Sequence, residues 1–276
     1  MLIQTDGNVN STGDGSIVVT NNSSGDISLK KLSSNNGNIE ITNNASENDI
    51  ILNDEIRTEN QANINITSQR NILQNGDNVV LNSDGQITLN AKKDIGLLDR
   101  FINIFTKGDG KVNAQAENIY IGSVDNNLNT GNISALNNAN IKTTGSSGSV
   151  IAKDNITAGN EISINSVEDI VTNSSVAAKN VDYSAAGNIT ANNITAENNI
   201  TLTGSEITTT GNISSADILY DADSKIQTDG SVVGDNVELL SDGNIITNEI
   251  TGMNDVTITA QNSIEARDKI TSTEVL

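Results

Sequence analysis

GNITANNITAENNITLTGSEITTT, residues 187–210, carries four isoleucines, Ile189, Ile194, Ile200 and Ile207, each followed by threonine. Ile207 stands in its stretch where Ile189 stood one period earlier, and the same relation runs along the chain. Counting back from the C-terminus, Val275, Val256, Val237, Ile218, Ile200, Val181 and Ile162 form a column at steps of 19, 19, 19, 18, 19 and 19. Ile264, Ile245, Ile226, Ile207, Ile189 and Ile170 form a second column; Ile270, Ile250, Val232, Ile213, Ile194 and Val176 form a third. Three interleaved β-branched columns at one period describe a chain wound once per period around a narrow apolar axis.

The local unit supports this winding. GNIEI at 37–41, NEISI at 160–164 and NDVTI at 254–258 place apolar residues at i and i+2, on one face of a short strand. The Gly, Asn or Asp before each strand tolerates the backbone angles of a corner. Strands this short, with corners this tight, cannot all pair as sequential hairpins, but they close a three-sided coil. The pattern predicts an all-β chain, a right-handed parallel β-helix forming a three-sided solenoid with coils of about 19 to 24 residues. Each strand would bond its equivalents one coil above and below, ~4.8 Å away.

Upstream the steps lengthen. Ile27, Ile50, Ile72, Ile95, Ile119, Ile141 and Ile162 make one expected column, and Ile39, Ile64, Ile87, Val112, Ile133 and Ile156 another. Ile56, Val79, Ile102, Leu128 and Val150 make a rougher third. The expected organisation is an irregular or frayed first coil over 1–26 and a single solenoid over 27–276. Its coils would hold about 22–23 residues up to about residue 150 and about 19 thereafter. A lone coil buries too little apolar surface to offset the entropy of ordering it, so stacking on neighbours has to supply the stability.

Composition narrows the function classes. The 276 residues include no Pro, Cys, His or Trp, and Phe101, Phe105, Tyr120, Tyr183 and Tyr220 are all the aromatic residues. Five rings argue against one thick globular core. A net charge of −20 with low hydrophobicity leans toward disorder, but strict β-branched periodicity leans against it more strongly. The same acidity argues against nucleic acid and anionic membranes as partners. No apolar run approaches 18 residues, so no membrane insertion is expected. The opening MLIQTDGNVN lacks the basic start and apolar run of a signal peptide.

The nineteen-residue units of 187–210 resemble the repeats of filamentous-haemagglutinin-type exoproteins. These are the secreted partners of bacterial two-partner secretion systems and include adhesins and the stalks of contact-dependent inhibition toxins. The likeness is one of repeat pattern over roughly 27–276. It implies a noncatalytic structural rod, part of a secreted bacterial surface adhesin, exported through an outer-membrane barrel transporter. It also implies a receptor or glycan on a host or neighbouring cell as partner. The family's Pro-containing N-terminal secretion signature is absent, and Leu276 follows a column valine by one residue. A fragment of a larger exoprotein is therefore expected.

Candidate chemistry is sparse. DADSKIQTDG at 221–230 opens like a calcium loop but has Ile226 where the turn glycine belongs and Val232 where the bidentate Glu belongs, so a solvated corner is expected. GDGKV at 108–112 lacks a third glycine and reads as a turn. The competing class, a β-helical carbohydrate-active enzyme or tailspike segment, would gather carboxylates with Arg, Lys or His on one face. The chain has no His, and its arginines lie far apart. No catalytic residue, metal ligand or cofactor is assigned. Alternation turns Phe101 and Phe105 outward if Ile102 and Ile104 point inward, making that pair a candidate partner-binding surface. Asn65, Asn132, Asn155, Asn188, Asn193, Asn199 and Asn212 each precede Ile and then Ser or Thr, and are candidate glycosylation sites. The plainer reading is that Asn turns the corner into the strand. Tyr183 and Tyr220 share the parity of Val181 and Ile218 and are expected in the core.

Overall fold

Among the described residues, parallel ladders alone join the strands. The computed structural model describes residues 2–4, 8–76 and 79–273. Among them are twenty-nine strands, from Leu2–Gln4 to Ile270–Ser272, and no helix. Each strand pairs with its equivalents one turn earlier and later, giving a β-solenoid of about 13 turns.

The three columns of the second half are its ladders. Ile162, Val181, Ile200, Ile218, Val237 and Val256 are successive Cα partners. Ile170 through Ile264 and Val176 through Ile270 pair in the same way. Val275 lies outside the described residues. β-Branched side chains suit these rungs because they fill a pleated, buried surface with little rotamer loss. The core is a single column of aliphatic side chains, with Ile27, Ile64, Ile119, Ile200 and Ile245 all at 1% exposure or less. Tyr183 and Tyr220 are fully buried in it, stacked through Leu202 in one ladder.

In the first turn, Leu2–Gln4 pairs with Ile17–Asn21, and Asn8–Gly13 pairs with Ile27–Ser34 across a register shift between Val9 and Ser11. Ile17–Asn21 joins Ile39–Asn43 residue for residue. Here Asn21 and Asn43 point inward at a corner: the Asn21 amide donates to the Asn43 side chain at 3.2 Å, and both cap nearby backbone groups. This satisfies polar groups that burial would otherwise leave costly.

Three upstream columns depart from the expected ones, each by a few residues. Ile119 stacks on Ala139, whereas Ile141 stacks on Ile121 below and Ile164 above. Val112 meets Thr130, and Ile133 meets Ala114. Leu81 stands between Ile56 and Ile104 in place of Val79, and Ile102 stacks on Ile121 instead of Leu128. The cause is that i and i+2 share a face. A column chosen by β-branched identity slips by a pair wherever Leu, Ala or Thr occupies the rung.

A larger cause lies in the middle of the rod. Between residues 50 and 91 each turn has two short strands, such as Ile50–Leu52 and Ile56–Thr58, and one longer one, such as Ile64–Ser68. Then Asp94–Ile95 and Ile102–Thr106 both land on the continuous strand Val112–Val124. Two short faces thereby become one long face. Conversely, Val112 and Ala114 of the old long face are covered by Thr130 and Ile133, which continue into the separate strands Val150–Ala152 and Ile156–Ala158. The corner between the two merging faces has to vanish, and its residues are extruded. Leu97 and Arg100 exchange backbone hydrogen bonds of 2.9 Å each way, closing a tight turn, with Leu98 at the tip 69% exposed. Gly96 permits it: its φ is +71°, and a Cβ there would sit 2.3 Å from the Tyr120 carbonyl oxygen.

Candidate functional site

The extruded turn brings together side chains that are far apart in sequence. Ile102 and Ile104 are fully buried, so Phe101, Asn103 and Phe105 face outward, each half-buried. Because Ile102 stacks on Ile121, Phe101 falls beside Tyr120, their ring centres 5.8 Å apart and nearly edge-to-face. Asn103 falls beside Gly122, and Gly122 beside Lys142. With no side chain at Gly122, Lys142 leans across the gap and its Nζ lies 3.7 Å from the Phe101 ring centre. Lys107 stands 5.5 Å from the Phe105 ring. Burial, with the Asp94 and Glu161 carboxylates, raises the Tyr120 phenol above its ordinary value of 10.0, so it stays protonated at neutral pH.

Beside this cluster is a shallow groove of about 220 Å³, bordered by Arg100, Phe101, Asn103, Val124, Lys142 and Thr144. A larger open groove of about 540 Å³ lies along the long face of the C-terminal half, where Thr201, Asp217, Glu238 and Asp255 border it. Its carboxylates are spread over successive turns, and among the described residues no basic side chain lines it.

The remaining candidates fall on regular structure. Asp221 lies inside the strand Asp217–Thr228, paired with Thr203 below and Leu240 above, so its backbone is extended where a cation loop would need to curl. At 108–112, Gly108 has φ +56° and forms a turn.

The candidate glycosylation asparagines other than Asn65 build corners. The Asn155 side-chain oxygen accepts from the Ser175 backbone N–H, Asn193 from Asn212, and Asn212 from Ser231, each one turn on. Asn199 donates to the Asn180 side chain at 3.1 Å. Asn132 and Asn188 are exposed, and their own N–H groups donate to Asn113 and Asp169 of the previous turn. Asn65 lies within the strand Ile64–Ser68, between Glu40 and Thr88. One corner carries Asp94, Asn118, Asn138 and Asn160 in a run of side-chain hydrogen bonds. Each such bond satisfies a group that the tight corner leaves out of the backbone ladder.

Sequence reasoning gave the outward direction of Phe101 and Phe105 but missed Tyr120 and Lys142. Pairing Ile102 with Ile121, nineteen residues on, and Ile121 with Ile141 would have found them. Comparison with protein-family models, curated proteins and solved structures gives no match to this chain.

Proposed function

We propose that the chain is a noncatalytic rod segment of a secreted bacterial surface adhesin or exoprotein of the filamentous haemagglutinin type. In this reading an outer-membrane barrel transporter exports it, and it holds binding modules away from the cell while presenting long β-faces to a receptor or glycan. The observation that supports it is the unbroken parallel ladder along about 13 turns, which makes a rod of about 60 Å at a strand spacing of ~4.8 Å. A core of stacked aliphatic rungs with Asn, Ser and Thr corners is a spacer's construction. A chain without Pro or Cys also suits export in an unfolded state.

The acidic groove bordered by Asp217, Glu238 and Asp255 is the feature that favours the competing class, a β-helical carbohydrate-active enzyme or tailspike segment. A depolymerisation screen over plant, bacterial and animal polysaccharides separates the two. The rod reading expects no reproducible cleavage. Cleavage that disappears in Glu238→Gln, with folding intact, overturns it.

A further inference from the structure

We propose that the groove beside the Gly96–Phe101 turn binds a single carboxylated sugar unit of an acidic glycan; this rests on the reading of the chain as an exposed adhesin rod and assigns that rod a ligand site. The first observation is charge. Residues 92–111 hold Lys92, Lys93, Arg100, Lys107 and Lys111 against Asp94, Asp99 and Asp109, a local balance of +2 in a chain of net −20. Lys93 and Lys111 are engaged by Glu117 and Asp154. Arg100 and Lys142, both on the groove, have no carboxylate within ion-pair distance among the described residues.

The second observation is that one of these cations is held in place. Gly122 opens the gap that Lys142 crosses, since a Cβ there would come within 3.4 Å of Lys142 Cγ. The Phe101 ring, itself braced against Tyr120, fixes the ammonium at 3.7 Å. The ring faces one side of the ammonium, and N–H donors remain for an incoming anion. Arg100 adds a planar fork matched to a carboxylate.

The third observation concerns the rest of the rim. The Asn103 amide and the Thr144 hydroxyl make no side-chain hydrogen bond among the described residues, and Asp99 can accept from sugar hydroxyls. Val124, 47% exposed, offers an apolar wall to the C–H face of a ring. At about 220 Å³ the groove is smaller than the roughly 300–1,000 Å³ typical of sites for drug-sized ligands, which fits one ring. A peptide added as a β-strand does not fit, because Ile102–Thr106 is already paired on both sides, with Leu81–Ser83 and Val112–Val124.

The test is titration calorimetry of the full chain with oligogalacturonate, its methyl ester, a sialylated oligosaccharide, a neutral galactan oligomer, an acidic peptide and a sulfated glycan. The expected result is saturable binding of a carboxylated oligosaccharide, at least tenfold weaker for the ester and the neutral oligomer. Lys142→Gln and Arg100→Gln should each weaken it at least tenfold with unchanged circular dichroism and melting temperature, while Lys30→Gln should leave it unchanged. No binding of either carboxylated oligosaccharide, equal binding of the methyl ester, or indifference to Lys142→Gln overturns the proposal. Equal binding of the acidic peptide or the sulfated glycan also overturns it, reducing the site to a charged patch. None of these outcomes touches the rod reading, which depends on the cleavage screen.

Discussion

Each rung residue is held by the turn below and the turn above, so a single side chain supports three coils. Ile200 and Ile218 are successive rungs with 1% and 2% of their surface exposed. Replacing either with alanine leaves a cavity that the paired backbone cannot collapse, and should cost about 2–5 kcal/mol in urea unfolding while β-type circular dichroism persists. The two buried tyrosines behave differently. The Tyr183 hydroxyl lies near Thr172 and the Tyr220 hydroxyl near Thr209, but neither pair reaches the geometry of a hydrogen bond. Burial raises both phenols above the ordinary 10.0, and the neighbouring threonine opposes this weakly. The folded chain therefore keeps these protons after the unfolded chain has begun to lose them, and stability falls as pH rises above about 10. The loss approaches about 1.4 kcal/mol per tyrosine for each further pH unit. Thermal melts between pH 8 and 11.5 should show the double variant Tyr183→Phe/Tyr220→Phe losing less stability across that range than the parent. Equal losses in both would contradict the assignment.

At the scale of the coil, the repeat makes a whole turn removable. Ile218 pairs with Val237 and Leu219 with Glu238, so deleting residues 219–237 places Ile218 directly before Glu238 with every later register kept. That deletion should give a cooperatively folding chain of lower melting temperature, since stability in a stacked array is a sum over neighbours. Deleting 219–228 alone should abolish cooperative melting, because the rungs above would meet corners below. The same regularity explains what was readable beforehand. From Ile162 onward each coil has one inward Ile or Val per face at a near-constant step, so the columns and the ladders coincide within the described residues. Between Val79 and Ile141 they do not. There the chain merges two faces, splits a third and fills rungs with Leu81, Ala114, Thr130 and Ala139. Inward parity survives this change, which is why the outward direction of Phe101 and Phe105 was legible. Vertical neighbours do not survive it, which is why Tyr120 and Lys142 were not. A period search tolerant of Ala and Thr rungs would recover the Ile102–Ile121 step.

Over the whole molecule the three ladders act as one sheet edge after another, and no turn has a core of its own. Outward positions on one face record the winding directly: Ser163, Asp182, Thr201, Leu219, Glu238 and Thr257 are successive Cα partners. The chain has no cysteine, so pairs of spin labels can be placed on this column without background. Double electron–electron resonance on Asp182→Cys/Thr257→Cys and on Ser163→Cys/Thr257→Cys spans four and five turns. Backbone separations of about 19 Å and about 24 Å are predicted, increasing by one strand spacing of ~4.8 Å. A broad distribution, or a Ser163–Thr257 distance no longer than the Asp182–Thr257 distance, would contradict the stacked solenoid.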